Sequence, residues 1–185
     1  MIIVKKAFLL KEALKKQREK GLKIGFVPTM GALHQGHLSL VDQACRESGF
    51  VVCSIFVNPT QFNDKKDFEK YPVTLEKDIS MLASGGCNLL FLPAADEVYP
   101  AGTENLPNYD LGYLETVLEG KYRPGHFQGV CQVVERLLNL TEPDLLFLGQ
   151  KDYQQCMVIN RMMELTGMVN PRVLICPTLR EADGL

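Results

Sequence analysis

The sequence predicts an α/β protein, a doubly wound, mostly parallel sheet with helices on both faces. Three observations carry this. Short apolar, β-branched runs near 22–28, 50–57, 88–92, 144–148 and 172–176 read as strands buried on both faces. Amphipathic segments separate them, at about 8–20, 37–47, 74–82 and 127–140, with a last one running to about Gly167. Strand and helix alternate along the whole chain, and that alternation brings the strands parallel into one sheet through right-handed crossovers.

The length of 185 residues suits one domain with a real core. A formal net charge of −2 gives no general pull toward nucleic acid or an anionic membrane. No apolar run reaches the length of a membrane span. At the N-terminus the charges of Lys5 and Lys6 follow the short apolar run, the reverse of a secretory signal. Cys45, Cys53, Cys87, Cys131, Cys156 and Cys176 all sit among apolar neighbours and read as small core residues in a reducing compartment. A cytoplasmic protein without disulfides is expected. Internal repeats and low-complexity segments are absent from the sequence.

The chemistry centres on Gly25–His37. Leu22, Ile24, Phe26 and Val27 form a strand that Pro28, which cannot donate to a ladder, is expected to end. Then come Met30, Gly31, Ala32, Leu33, His34, Gln35, Gly36 and His37, after which Leu38, Leu40, Val41 and Ala44 recur at helical spacing. Gly36 has no side chain to hold a nucleotide away. A helix starting near His37 aims backbone N–H groups and its positive dipole end at a phosphate. His34 and His37, three apart, share its first-turn face. A His-x-x-His pair also occurs in metal sites, but zinc needs three or four protein ligands. Only His126 remains and there is no Cys-x-x-Cys, so no metal site is expected.

The strand over 50–57 ends in Asn58-Pro59-Thr60-Gln61, at the carboxyl edge where open α/β sheets bind ligands. A turn accounts for Asn58 but has no special use for Gln61. Residues 63–72 are polar and read as a surface loop or lid. Thr74 caps the next helix, with Glu76 and Asp78 in its first turn. Asp78 either complements the dipole or faces a Mg²⁺ carried by phosphates. The loop from Glu119 to Val130 carries Arg123, whose planar fork suits a carboxylate or phosphate, and His126, which is placed to fix the loop. A second chemical stretch follows the strand over 144–148: Gly149, Gln150, Lys151 and Asp152, with Gln155 one helical turn beyond Lys151. Helix-start charge and a solvated glutamine are the plain alternatives there.

The pattern His34-x-Gly36-His37 after a first strand resembles nucleotidyltransferases that share a fold with class I aminoacyl-tRNA synthetases. That resemblance implies a Rossmann-like HxGH nucleotidyltransferase fold. The longer run from Pro28 to His37 is similar to the pantoate–β-alanine ligase family. So, in order, are Asn58–Gln61, Tyr122–Phe127 and Gly149–Gln155. The resemblance implies an ATP-dependent ligase that joins pantoate to β-alanine through a pantoyl adenylate, releasing pyrophosphate and then AMP. It implies His37 as the catalytic residue. Met30, Gly31, Ala32, Leu33, His34, Gln35, Gly36, His37, Gly149, Gln150, Lys151, Asp152 and Leu179 would bind ATP. Gln61 and Gln155 would bind pantoate, and Gln61 also β-alanine. ATP is then a substrate accompanied by Mg²⁺, and a homodimer is implied. The family continues beyond Glu181–Leu185 into a serine- and arginine-bearing loop and a small C-terminal domain. Residues 1–185 would therefore be the N-terminal nucleotide- and pantoate-binding domain, with little turnover of their own. The alternatives are a cytidylyl- or adenylyltransferase using the same first motif, and an inactive nucleotide-binding and dimerising module.

Overall fold

The structure, a computed structural model, describes residues 1–184, the side chain of Lys65 excepted. Leu185, the last residue of the loop-like end, lies outside them. In chain order the elements are β1 (Ile2–Val4), α1 (Ala7–Arg18), β2 (Ile24–Thr29), α2 (Gln35–Glu47), β3 (Phe50–Ile55), α3 (Lys65–Glu69), α4 (Leu75–Ser84), β4 (Leu89–Phe91), α5 (Ala95–Val98), α6 (Leu118–Tyr122), α7 (His126–Thr141), β5 (Leu145–Gly149), α8 (Tyr153–Thr166) and β6 (Arg172–Cys176). Short 3₁₀ turns occupy Pro59–Gln61, Gly112–Glu115 and Gln150–Asp152.

The sheet has six strands in the order β1-β4-β3-β2-β5-β6, every pair parallel. Alternation along the strands feeds two cores. Ile24, Phe26, Phe50, Val52, Leu146 and Leu148 pack against α1, α7 and α8 on one face. Val27, Val51, Cys53, Ile55, Leu145 and Phe147 pack against α2 and α4 on the other. From β2 the chain winds outward to β3 and β4 on one side; β5 and β6 lie on the other. The order of winding therefore reverses between β2 and β5, and a crevice opens at their carboxyl ends.

Four expectations need correcting. Ile2–Val4 form a strand, read from sequence only as a short apolar terminus. They do so because β4 lies alongside, with Ile3 opposite Leu90. Pro28 does not end β2: it faces Ser54 in register, and the strand runs on through Thr29. Residues 63–72 contain the short helix α3, started by Asp64, whose side chain accepts the amide of Lys66. Cys45 is exposed, unlike the other five cysteines; all six are free thiols. No helix of the described residues is long and apolar enough to cross a membrane.

Candidate active site

The crevice at the carboxyl ends of β2, β3, β5 and β6 is a cavity of about 890 Å³. That is within the range of small-ligand pockets. It brings both chemical stretches to one place: its lining takes in His34, Gly36 and His37 from the first, Gly149, Lys151, Asp152 and Gln155 from the second, and Gln61 as well. Met30, Gly31, Ala32 and Leu179 also line it. Three residues expected there do not. Leu33 is buried in the core beside β3, and Gln35 and Gln150 are exposed.

The start of α2 is capped by its own histidines. His34 is the N-cap, and its Nδ1 accepts the amide of Gly36 at 3.1 Å. His37 Nδ1 accepts the amide of His34 at 3.4 Å. The helix thus begins two residues before His37, earlier than its sequence suggests. The rings lie 4.1 Å apart, centroid to centroid. Because each Nδ1 is an acceptor, each neutral ring carries its proton on Nε2. Gly36 is required by this packing, since a Cβ there would fall 2.9 Å from Cε1 of His34. The helix end is an imidazole-capped one. It offers ring N–H groups where a bare terminus would offer its amides.

His37 sits largely out of water. That burial, with His34 beside it, pushes its pKa from 6.5 down to about 4. On unfolding the ring regains its ordinary value. Between pH 6.5 and about 4 the unfolded chain therefore holds a proton that the folded chain refuses. Stability linked to His37 is whole above pH 6.5 and falls as the pH drops toward 4, by about 3 kcal/mol at most. His126 is lowered too, chiefly by burial, and acts in the same direction. Urea titrations at pH 7 and pH 4.5 should show the native chain losing more stability than a His37→Gln variant.

Lys151 stands at the end of β5, and among the described contacts its ammonium meets only Asp152, at 3.0 Å. With 66% of its side chain exposed, that pair contributes little to stability. Beside Gly149 the space is open: a Cβ there would meet nothing within 4 Å.

Gln61 is held from several sides. Its Oε1 accepts Nδ2 of Asn58 at 3.3 Å and its Nε2 donates to Sδ of Met30. Its backbone oxygen accepts Nδ1 of His126 at 2.8 Å, which fixes the opposite tautomer on that ring, with Nε2 taking a bond from Arg123. Gln61 is thereby fixed in place on the cavity lining. Asn58 does not reach the cavity, contrary to its place at a strand end. It is buried, bonded also to Gly129 O and to the Tyr99 hydroxyl. The 3₁₀ turn rests directly on α7, where a Cβ on Gly129 would come within 2.6 Å of Gln61 Cα. Gly129→Ala is therefore expected to cost about 1–3 kcal/mol by overpacking and to displace Gln61, read as a lowered melting temperature and weakened ligand binding.

Asp78 lies behind the cavity wall, 1% exposed. It neither simply faces the helix dipole nor turns to the cavity. Its oxygens accept the amides of Ala32 and Leu33 and the hydroxyl of Thr74. The amides of Ala32 and Leu33 are consequently not directed at a ligand. Thr74 spends its hydroxyl on Asp78 and not on a cap. The two amides are 45 and 46 residues from Asp78, so no local signal reveals them. The same holds for Tyr99, whose hydroxyl donates to Asn58 41 residues away.

A parallel sheet with a His-x-Gly-His turn at its central carboxyl edge defines the HxGH nucleotidyltransferase-like class of α/β protein. Within it, this chain belongs to the family described as pantoate-beta-alanine ligase, whose model matches residues 2–185. A pantothenate synthetase of Porphyromonas gingivalis is 49% identical over 176 residues, covering 95% of this chain and 62% of its own. The crystal structure of pantothenate synthetase from Thermus thermophilus superposes with a TM-score of 0.91 at 45% identity, covering 100% of this chain and 64% of that one. The pantoate-beta-alanine ligase of Francisella tularensis, complexed with beta-gamma ATP and beta-alanine, gives 0.90 at 44%, covering 100% and 70%. The chain thus spans less than two thirds of the length of the Porphyromonas and Thermus relatives.

Proposed function

We propose that this chain carries the nucleotide- and pantoate-binding site of an ATP-dependent ligase that condenses pantoate with β-alanine. The observation that carries the reading is the single cavity shared by His37, Gln61, Lys151 and Gln155, four side chains drawn from three strand ends. Family membership supports it, as does the Francisella relative's complex with beta-gamma ATP and beta-alanine.

A carboxylate is a poor acyl donor to an amine because oxide would have to leave. In the proposed reaction a pantoate carboxylate oxygen attacks the α-phosphorus of ATP, and pyrophosphate departs. The β-alanine amine then attacks the acyl carbon and AMP leaves. Charge spreads over phosphate oxygens in the first step, so preplaced donors and cations act there. The Nε2–H groups of His34 and His37 and the Lys151 ammonium supply them. The amides of Gln61 and Gln155, both on the cavity lining, bind pantoate's oxygens.

Mg²⁺ fits this reading as a companion of the triphosphate. Among the described residues no group of three or more His, Cys, Asp or Glu is arranged to hold a metal. Mg²⁺ characteristically keeps waters and phosphate oxygens and takes one or two carboxylates, and Glu119 and Asp152 line the cavity. When bound it would neutralise phosphate charge. Six free thiols suit a cytoplasmic setting, and a homodimer follows from the resemblance.

The test is calorimetry with ATP beside an assay for AMP release from ATP and pantoate. AMP release that depends on β-alanine supports the ligase. Turnover with CTP or a phosphorylated acceptor in its place would mark a nucleotidyltransferase, and ATP binding without AMP release a binding module.

A further inference from the structure

We infer that Asp78 is a positioning residue: its buried carboxylate sets the loop over 31–33 and, through it, the placement of His34 and His37. The inference rests on the proposed adenylation for its effect on rate, and on geometry alone for the rest.

The loop is bent in a way its sequence does not favour. Gly31 and Ala32 both adopt left-handed backbone, with φ of +83° and +51°. Glycine does this freely, whereas alanine does so only when its surroundings insist. Asp78 supplies the insistence. Oδ2 accepts the Ala32 amide at 2.9 Å and Oδ1 the Leu33 amide at 2.8 Å, bonds strengthened by the charge. Thr74 steadies the carboxylate from the far side, its hydroxyl 3.0 Å from Oδ1. Gly31 leaves room for this approach, since a Cβ there would lie 3.1 Å from Oδ2.

Packing anchors Leu33 in the core but leaves space beside Met30 and Gly31. Behind the loop lies a second, largely apolar hollow of about 290 Å³, lined by Phe56, Phe68, Val73, Leu75 and Leu92 and reaching Met30, Gly31 and Asp78. The loop is a partition between two cavities, so without its latch it has space to fall back. Asp78 does not itself line the main cavity. Its influence on chemistry passes through the segment that leads directly into the two histidines. Its oxygens already serve three donors, an arrangement made for the loop and not for an approaching ion.

The test is ¹⁵N-histidine NMR on this chain, whose three histidines give a simple spectrum. Asp78→Asn keeps the side chain's size but cannot accept both amides. It should shift the ring nitrogens of His34 and His37 and leave His126 where it is. Single-turnover adenylate formation should fall about 10- to 100-fold, with ATP dissociation changed by less than about threefold. Thr74→Val, which keeps both loop bonds, should produce the same shifts on a smaller scale and provides the test if Asp78→Asn does not fold. Unmoved His34 and His37 resonances with an unchanged rate would overturn the inference, as would equal shifts of all three histidines. If the native chain forms no adenylate, the proposed reaction fails while the histidine resonances still decide the latch.

Discussion

Replacing His37 with alanine is expected to slow adenylate formation about 10²- to 10³-fold, or roughly 3–4 kcal/mol of transition-state stabilisation, with the fold retained. The ring's structural contribution is small. Among the described residues its one backbone hydrogen bond, from the His34 amide, is 3.4 Å long and exposed. Its chemical position is not small. Burial keeps it neutral at pH 7, and the engaged Nδ1 turns Nε2–H outward as a donor. A preoriented donor beside a transferring phosphoryl group loses little reorganisation energy on reaction. His37→Gln, which offers an amide N–H near the same point, should recover part of the rate. Rapid-quench measurement of pantoyl adenylate in a single turnover separates this step from β-alanine attack. An unchanged rate in the alanine variant would remove His37 from the mechanism.

Lys151→Ala is expected to match that loss, again about 10²- to 10³-fold in adenylation, without a measurable change in melting temperature. The two halves of this expectation have different sources. Stability is untouched because the side chain is mostly exposed and its pair with Asp152 is a surface pair. Activity suffers because Lys151, of all the residues proposed for the triphosphate, is the one that brings a full positive charge at neutral pH. Lys151→Arg retains charge but replaces a compact ammonium by a wide planar group, and should restore only part of the rate. Parallel melting curves and single-turnover traces for the three proteins check the point. A stability loss equal to the activity loss would show that Lys151 holds structure.

The two variants differ in what sequence reading could know of them. The place of Lys151 on the cavity was legible because it follows an unbroken apolar strand, Leu145–Leu148, and such strand ends are where parallel sheets bind ligands. The place of His37 at the helix start was legible, but its tautomer and lowered pKa were not, since they depend on the His34 amide and on burial. Asn58 starts the turn that its sequence suggests, but its burial was not legible. It sits at a strand end, yet its partners, Tyr99 and Gly129, are 41 and 71 residues away and draw it inward. Strand β1 was missed because three residues are too few for a periodic signal, and its pairing with β4 crosses most of the first half of the chain.

The order and kind of the main elements and the place of the two glycine-bearing stretches at strand ends follow from the chain itself. Apolar periodicity, helix breakers and short spacings are local properties. What only the tertiary structure decided is how those groups are held: the buried carboxylate of Asp78 under a left-handed loop, the imidazole that grips Gln61's carbonyl, and the glycine that lets α7 lie against it. Each of these is a contact between segments far apart in sequence. Hydrogen bonds and burial answer to distance in space, and that distance exists only once the sheet has closed.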